Sequence, residues 1–283
     1  MNLVTVDVED WFHICGCGGP LAEEHWERLP SRVISTTERL LDCLDRAGVT
    51  ATFFVVGWVA ERFPQIVTRI LGAGHEVGSH SARHRRVYEL TREAFADDVR
   101  SSVRALETAG ADAVRAFRAP EWSINDRAPW ALGELVAQGF RVDASMAPLR
   151  IVGDINYPRH PHLRSTPRGA IVEVPPLVAD RFGHVMPLGW GWGLRMSSPR
   201  RVLATMERAN AQGWAAMLAV HPWELDPDPP RVRLSPRLHF SHYFCLAGFE
   251  ARFQEVLKHG TFTTLGAIEQ AVRSAADPCV FAA

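Results

Sequence analysis

Short apolar runs alternate with amphipathic stretches along the first half of the chain, and this alternation limits the fold more than any other feature. Residues 3–6 and 51–56 are rich in β-branched and aromatic side chains, which is typical of strands buried on both faces. Between them, Leu40, Leu41 and Leu44 recur at helical spacing. A strand, a helix and a strand in this order predict a parallel sheet with right-handed crossovers, either doubly wound or closed as a barrel.

The same rhythm continues to residue 143. The predicted elements are a helix at 59–73, a strand at 75–79, a helix at 91–109, a strand near 116–118, a helix at 126–138 and a strand at 140–143. We therefore expect strands and helices to alternate throughout this half of the chain.

Residues 149–198 break the rhythm, because proline and glycine are frequent there. Within this stretch 171–176 predict a strand, while glycine and tryptophan alternate over 189–193 and predict an irregular loop. A long loop of this kind commonly covers a site. We predict one domain over residues 1–283, with a loop-rich insertion at about 149–198 and a C-terminal extension at about 222–283.

Composition excludes several classes of function. The chain has 283 residues, 47% of them hydrophobic, which is enough for one large core. Its formal net charge of −1 gives no basic surface for nucleic acid. No apolar run reaches the roughly 18 residues of a membrane span, and acids arrive as early as Asp7, so we expect a cytoplasmic protein.

The cysteines do not predict a structural role. An odd count without CxxC spacing argues against a disulfide framework and against a structural zinc site. Cys15 and Cys17 could bind a soft metal, but no second pair completes a tetrahedral set, so incidental thiols are the favoured interpretation. The five residues are Cys15, Cys17, Cys43, Cys245 and Cys279.

Three acids follow the first predicted strand: Asp7, Glu9 and Asp10. Carboxylates crowded at a strand end repel one another unless a cation or a proton lies between them. Taken alone, the stretch could equally be an acidic turn that caps the next element.

His80 and His84 give the strongest local signal. A spacing of four residues predicts two imidazoles on one side of a helical turn, close enough to share one metal ion. Two surface histidines would show the same spacing, but this pair follows a predicted strand, where the loops of parallel sheets build sites. Two imidazoles and one of the opening carboxylates would form a facial triad with open positions.

Four motifs together resemble those of the polysaccharide deacetylases, the NodB-homology domains of carbohydrate esterase family 4. An acidic motif ends the first strand, and residues 80–84 (HSARH) are similar to the family's second motif. Residues 118–120 (RAP) and 218–221 (LAVH) are similar to its third and last motifs. The resemblance implies an α/β fold, a distorted or incomplete TIM-like (β/α) barrel of about seven strands.

The resemblance also implies a role for each matched residue. Asp7 would be the general base that takes a proton from water, and Arg118 the cation that holds its charge in place. His221 would be the general acid that protonates the departing amine. His80 and His84 would bind a divalent metal ion, Zn²⁺ in first place, with Co²⁺, Ni²⁺ and Mn²⁺ as alternatives.

The third metal ligand stays open between Glu9 and Asp10. In the family's usual motif the base and the metal-binding Asp are adjacent, whereas Val8 follows Asp7 here. Strand alternation puts Asp7 and Glu9 on one face and favours Glu9. A chain already turning out of the sheet would favour Asp10, whose shorter arm matches the family's Asp.

Aromatic residues near the motifs give independent support for a sugar substrate, because the C–H faces of sugars pack on exposed rings. Burial in the core is the alternative for about half of such residues. The residues that we expect to bind substrate are Trp11, Pro120, Trp122 and Trp223, and Phe12, Trp190 and Trp192 occupy similar loop positions.

The runs at 7–12, 221–227, 242–244 and 262–265 resemble a subgroup that accompanies bacterial exopolysaccharide export and exosortase sorting. This implies a carbohydrate substrate, an N-acetylhexosamine in a polysaccharide or in a lipid-linked or oligosaccharide precursor. It also implies peripheral association with membrane-bound exopolysaccharide machinery, at the inner face of the membrane.

The sequence therefore predicts an enzyme, a metal-dependent de-N-acetylase. One alternative is a hydrolase of another C–N amide bond in a small molecule. An alternative from another class is a catalytically inactive carbohydrate-binding protein. The acid, the base and both histidines together favour an enzyme, because a binding protein needs no such combination.

Overall fold

The chain folds around one curved, mainly parallel sheet. The computed structural model describes residues 1–276. Its strands are β1 (Asn2–Val8), β2 (Thr52–Val55), β3 (Glu76–Ser79), β4 (Ala116–Phe117), β5 (Val142–Asp143), β6 (His162–Thr166), β7 (Gly169–Glu173), β8 (Val178–Arg181), β9 (His184–Pro187), β10 (Met217–Val220) and β11 (Phe262–Thr263).

Seven strands run parallel in the order β10-β1-β2-β3-β4-β5-β7. At one edge β6 pairs antiparallel with β7, and β11 pairs with the start of β1. In residues 1–276 the two ends of the order, β10 and β6, do not pair, so the sheet curls into a half-barrel. The predicted incomplete α/β barrel of about seven strands is thereby confirmed.

Helices separate most of the strands along the chain, and most of these helices pack against the outer face of the sheet. They are α1 (Val33–Asp45), α2 (Gly57–Arg62), α3 (Gln65–Gly72), α4 (Arg92–Thr108), α5 (Ala131–Ala137), α6 (Gly191–Met196), α7 (Pro199–Ala211), α8 (Pro236–Tyr243), α9 (Phe249–His259) and α10 (Leu265–Ala276).

The alternation of side chains along β1 separates the outer face from the inner one. All seven of its residues are buried. Val4, Val6 and Val8 belong to the large cluster under the helices, whereas Leu3 belongs to a second cluster inside the half-barrel. A period of two therefore puts Asp7 on the inner face.

The predicted helix at 59–73 is two helices in the structure. α2 ends at Arg62, and Pro64 is the residue before α3. Proline has no amide hydrogen and its ring clashes with the preceding turn, so one continuous helix cannot pass through this position.

Residues 149–198 hold more regular structure than the sequence predicts. β6 and β7 form one antiparallel hairpin, and β8 and β9 form another. The predicted irregular loop at 189–193 is wrong from Gly191 onwards, because α6 begins there. A Cβ atom on Gly193 would collide with the carbonyl of Pro187, so glycine is what lets α6 pack on the end of β9.

Two features of composition have structural counterparts. Within residues 1–276 no helix combines the length and the apolar character needed to cross a membrane. The four cysteines in that range, Cys15, Cys17, Cys43 and Cys245, are all unpaired. Cys279 and the last part of the predicted extension, residues 277–283, lie outside the described residues.

The parallel register brings several candidate residues to one edge of the sheet. Glu9 follows β1, His80 follows β3, Arg118 follows β4 and His221 follows β10. The carboxyl ends of parallel strands meet on the same side, so these side chains converge although up to 212 positions separate them in sequence.

We expect Gly78→Ala to destabilise the fold by roughly 1–3 kcal/mol. A Cβ atom on Gly78 would lie 2.8 Å from both the Ala116 carbonyl oxygen and the Phe54 ring, inside the sheet. Gly72→Ala is the matched control, because nothing lies within 4 Å of the added Cβ. Urea denaturation measures the difference, and equal midpoints for the two variants would contradict the prediction.

Candidate active site

Glu9, His80 and His84 form a cluster suited to a metal ion. One ligand atom from each lies within 4.8 Å of the others, and all three residues are buried. Glu9 Oε2 is 2.5 Å from His84 Nε2 and 3.9 Å from His80 Nε2, yet it accepts no hydrogen bond. A buried carboxylate oxygen without a proton donor, facing two imidazoles, is what a divalent cation would satisfy.

The two histidines are not on a helical turn, so that part of the prediction is wrong. Ser81 and His84 both adopt left-handed backbone conformations, with φ of 63° and 49°. The hydroxyl of Ser81 accepts a hydrogen bond from the His84 N–H at 2.9 Å and closes the turn. A tight, non-helical loop thus brings the two rings together, with centroids 5.0 Å apart.

Each histidine is held through its Nδ1 atom. The Nδ1–H of His80 donates to the Arg118 carbonyl at 2.8 Å. The Nδ1 of His84 lies 3.5 Å from the Cys15 sulfur, whose S–H donates to the His84 carbonyl at 3.1 Å. These contacts leave the two Nε2 atoms to face Glu9. No pattern in the sequence indicated that Cys15 would lie behind His84. Cys17 is outside this cluster.

Glu9 is oriented by Trp223, whose indole N–H donates to Glu9 Oε1 at 3.0 Å. Burial by itself would raise the pKa of Glu9, but His84, His221 and His80 outweigh it and hold that pKa well below its usual range. Burial lowers the pKa of His80 to about 4, so this ring is neutral at neutral pH. An ionised carboxylate and a neutral imidazole are the forms that bind metal.

Asp10 lies away from the histidines, so of the two acids left open by the sequence only Glu9 joins them. The Asp10 carboxylate accepts hydrogen bonds from the N–H groups of Trp11 at 3.0 Å and Arg32 at 3.1 Å, and from the Ser31 hydroxyl. Arg32 immediately precedes α1, so Asp10 satisfies backbone donors at the start of that helix. β1 ends at Val8 and the chain turns beyond it, which sends the Glu9 and Asp10 carboxylates to different partners.

Asp7 and Arg118 form a buried ion pair on the inner face of the sheet. Arg118 Nη1 donates to Asp7 Oδ1 at 2.8 Å and to the Thr5 hydroxyl at 2.8 Å. The guanidinium carbon lies 4.5 Å from the Phe54 ring centre and 4.7 Å from that of Trp122. Two aromatic faces and the Thr5 hydroxyl therefore fix the arginine, which in turn fixes one oxygen of Asp7.

A second pair of acids supports the backbone around Arg118. Asp143 and Glu173 are register partners on β5 and β7, and both are buried. Burial first, and then the nearby Asp143, raise the pKa of Glu173 well above its usual value. Asp143 accepts a hydrogen bond from the Ser145 hydroxyl at 2.6 Å, and that hydroxyl accepts from the Ala119 N–H at 2.8 Å.

His221 is held by a residue that the sequence interpretation missed. The Nδ1–H of His221 donates to Glu224 Oε2 at 3.1 Å, and the backbone N–H of His221 donates to the same oxygen at 2.9 Å. This leaves Nε2 at 3.9 Å from Asp7 Oδ2 and 3.7 Å from Glu9 Oε1. The available signal was a glutamate three residues after the histidine, which is the spacing of a capping box.

The Glu9, His80 and His84 cluster lines one open cleft of about 1020 Å³, together with Asp7, Arg118 and His221. Of the predicted substrate-binding residues, Trp122 and Trp223 line it, as do Trp190 and Trp192. Trp11 and Pro120 are not among its lining residues. Trp11 is in the core instead, because its indole N–H donates to the Pro30 carbonyl at 3.1 Å and its ring packs edge-on against Phe12.

Comparisons with known proteins agree with these features. Residues 29–139 match the sequence profile of a family described as Polysaccharide deacetylase, and residues 144–270 match a Domain of unknown function (DUF3473). The first match contains His80, His84 and Arg118, and the second contains His221. Asp7 and Glu9 precede both.

Two curated relatives and one solved structure illustrate the likeness. A chitooligosaccharide deacetylase of Sinorhizobium fredii is 34% identical over 131 residues, 45% of this chain and 60% of that protein. A peptidoglycan-N-acetylglucosamine deacetylase of Bacillus cereus is 31% identical over 96 residues, 34% of this chain and 35% of that protein. The chain thus spans between about a third and three fifths of these relatives.

The solved structure shows the shared fold. A crystal structure assigned to a polysaccharide deacetylase from Mycobacterium smegmatis has a TM-score of 0.63 at 20% identity. The likeness covers 97% of this chain and 90% of that one, so it includes both the half-barrel and the second half of the chain.

We expect Glu224→Gln to lower the free energy of unfolding most at acidic to neutral pH. Burial would lower the pKa of His221, but Glu224, ahead of Glu9, raises it from 6.5 to about 9. A group with a raised pKa stabilises the fold fully below pH 6.5, and this contribution is lost as the pH rises through about 9. The gap between wild type and variant should therefore shrink across that window.

Chemical denaturation of both proteins, stripped of metal, at several pH values measures this gap. A gap that stays constant from pH 6 to pH 10 would contradict a stabilising pair between Glu224 and protonated His221, since roughly that window contains the whole titration.

Proposed function

Since residues 29–139 match the polysaccharide deacetylases, we propose that the chain is a NodB-homology domain of carbohydrate esterase family 4, a metal-dependent hydrolase that removes acetyl groups from N-acetylhexosamine units. One observation carries the proposal. The Glu–His–His cluster shares one cleft with a carboxylate–arginine pair and an imidazole–carboxylate pair. A protein that only binds sugar needs none of these three together.

The metal ligands in this proposal are Glu9, His80 and His84. A carboxylate and two imidazoles suit Zn²⁺, with Co²⁺, Ni²⁺ and Mn²⁺ as alternatives. Such an ion, when bound, supplies Lewis-acid polarisation of the acetamide carbonyl and lowers the pKa of water. The protein itself presents the Nε2 lone pairs of His80 and His84 to the ion. The Nδ1 contacts of these rings to Arg118 and Cys15 favour that tautomer.

Asp7 acts as the general base in this proposal. Its Oδ1 is occupied by Arg118, so Oδ2 is the oxygen that faces the cleft and accepts the proton of the attacking water. The guanidinium of Arg118 is a cation. It therefore stabilises the ionised carboxylate before proton transfer and keeps its orientation afterwards.

His221 acts as the general acid. Glu224 holds its Nδ1–H, and the raised pKa of His221, about 9, keeps the ring protonated at neutral pH. Its Nε2–H, 3.9 Å from Asp7 Oδ2, can then pass a proton to the amide nitrogen as the C–N bond breaks. Acetate and a free amino sugar leave.

The substrate class rests on the relatives and on the cleft. The two curated relatives are named for chitooligosaccharide and for N-acetylglucosamine in peptidoglycan. Trp190 and Trp192 line the cleft, are partly exposed and can pack on sugar rings. The resemblance to the exopolysaccharide subgroup supports a polysaccharide or a lipid-linked precursor as the physiological substrate. Association with membrane machinery and a cytoplasmic location stay predictions.

We expect Glu9→Gln to lower zinc occupancy and Asp10→Asn to leave it unchanged. Glu9 Oε2 faces both imidazoles, whereas Asp10 caps the start of α1. Loss of the cap should instead cost about 1 kcal/mol of stability. Zinc is measured by mass spectrometry after loading and dialysis, with a His80→Ala, His84→Ala double variant as the reference for loss. Equal zinc loss in the two acid variants would contradict the ligand choice.

Acetate release from N-acetylglucosamine oligomers tests the activity. We expect Asp7→Asn and His221→Ala each to reduce kcat by about 10²- to 10⁴-fold, the usual contribution of a general base or acid. Arg168→Gln, at an exposed turn between β6 and β7, is the control that should keep wild-type rates. Unchanged release in both site variants would overturn the assigned roles.

A wider substrate screen separates the alternatives. Chitin oligomers, lipid-linked acetamido sugars and small amides are compared by kcat/KM. Turnover of small amides alone would point to another C–N hydrolase. Sugar binding without acetate release from any substrate would point to a binding protein.

A further inference from the structure

Arg195 lies fully buried beside the carboxylate that holds His221. Its Nε atom is 3.0 Å from Glu224 Oε1, and both side chains are 0% exposed. The N–H is not aimed at that oxygen, so the contact is an ion pair rather than a hydrogen bond. Arg195 has no part in the chemistry described so far, yet it neutralises the carboxylate that contacts His221 Nδ1.

Two carbonyl groups fix the guanidinium from its other end. Nη1 of Arg195 donates to the His242 carbonyl at 3.0 Å, and Nη2 donates to the Ser241 carbonyl. Both carbonyls belong to the last turn of α8. Arg195 therefore joins three separate segments: α6, α8 and the short turn Pro222–Leu225 that contains Glu224.

Glu224 needs a contact at each oxygen to hold an imidazole in one orientation. Its Oε2 already meets the backbone N–H and Nδ1 of His221. The terminal torsion of a glutamate has a broad energy minimum, so contacts at one oxygen alone let the carboxylate plane turn. A planar guanidinium, itself fixed by two carbonyls, removes that freedom at Oε1.

A stack of rings ends at the same helix. His221 lies on Trp223 with ring centres 5.1 Å apart, and Trp223 lies on His242 at 4.2 Å. Arg195 binds the carbonyl of His242 as well as Glu224. Arg195 therefore contacts both the carboxylate that binds His221 Nδ1 and the backbone of His242, the last ring of the stack.

We propose that Arg195 is a positioning residue for His221, acting through the Glu224 carboxylate. The proposal rests on the proposed function, in which His221 is the general acid. Arg195 does not touch the substrate in this scheme. It sets the plane of Glu224, and Glu224 sets the direction of His221 Nε2.

The chain offers a matched control for a merely structural role. Arg252 donates hydrogen bonds to the carbonyls of Arg195, Cys245 and Ala247. It therefore stabilises the region around α6 and the end of α8, as Arg195 does. It makes no hydrogen bond or ion pair with Glu224 in the described part of the chain. Arg195→Met and Arg252→Met therefore remove comparable anchors, of which only the first acts on the carboxylate.

The test is a double-mutant cycle in the full-length, zinc-loaded protein with N-acetylglucosamine oligomers. We expect Arg195→Met to lower kcat by about 10- to 100-fold, the range found for residues that orient a site's ligands, with KM little changed. Arg195→Lys keeps a buried cation and should recover part of kcat. In a Glu224→Gln background, Arg195→Met should not lower kcat further, because the carboxylate through which Arg195 acts on His221 is already absent.

A spectroscopic measurement accompanies the cycle. In histidine-labelled, metal-free protein, the Nδ1–H resonance of His221, assigned with His221→Ala, should shift or broaden in Arg195→Met and stay unchanged in Arg252→Met. If Arg195→Met does not fold, the comparison uses Arg195→Lys and the Arg195→Met, Glu224→Gln double variant, which buries no unpaired charge.

Several outcomes would overturn the proposal. They are additive losses of kcat in the cycle, equal losses of kcat in Arg195→Met and Arg252→Met, and a His221 Nδ1–H resonance that is the same in Arg195→Met as in the wild type. A wild-type protein that releases no acetate would remove the proposed function, whereas the resonance would still decide whether Arg195 positions His221.

Discussion

The buried ion pair between Asp7 and Arg118 is the interaction on which the rest of the site depends. A charged pair inside a sheet costs much free energy to desolvate, and it persists only when further contacts satisfy both partners. Thr5, Phe54 and Trp122 supply those contacts. The carbonyl of Arg118 also receives the Nδ1–H of His80. One residue at the end of β4 therefore fixes both the proposed base and one proposed metal ligand.

The second half of the chain supplies a second ion pair near the first, in which the charges of the proton-transfer group and its partner are reversed. Asp7, an anion, is held by a cation, whereas His221, a cation when protonated, is held by Glu224, an anion. Glu224 is in turn neutralised by Arg195. Each proposed proton-transfer group thus has a partner that favours the charge it must carry before it reacts. The Glu–His–His cluster lines the same cleft, and Trp223 connects it to His221 by donating a hydrogen bond to Glu9 and stacking on the His221 ring.

Much of this could be predicted, because two physical patterns are local. Apolar runs of four to six residues between amphipathic helices predict buried parallel strands, and parallel strands bring their carboxyl ends to one edge. His80, Arg118 and His221 each follow a predicted strand, so their convergence followed from sequence position. What failed depended on backbone detail: residues 80–84 form a tight loop rather than a helical turn, and Gly191 begins a helix rather than a loop.

The sequence by itself determined the class of fold, the strand ends that carry chemistry and the residue types found there, since periodicity and motif order are properties of the chain. Tertiary structure alone decided which of Glu9 and Asp10 lies beside the histidines, because the backbone turn after β1 sends one carboxylate to them and the other to the start of α1. It also brought Arg195 to Glu224 and removed Trp11 from the cleft. Such choices depend on which distant segment lies within a few ångströms, and no spacing along the chain encodes that distance.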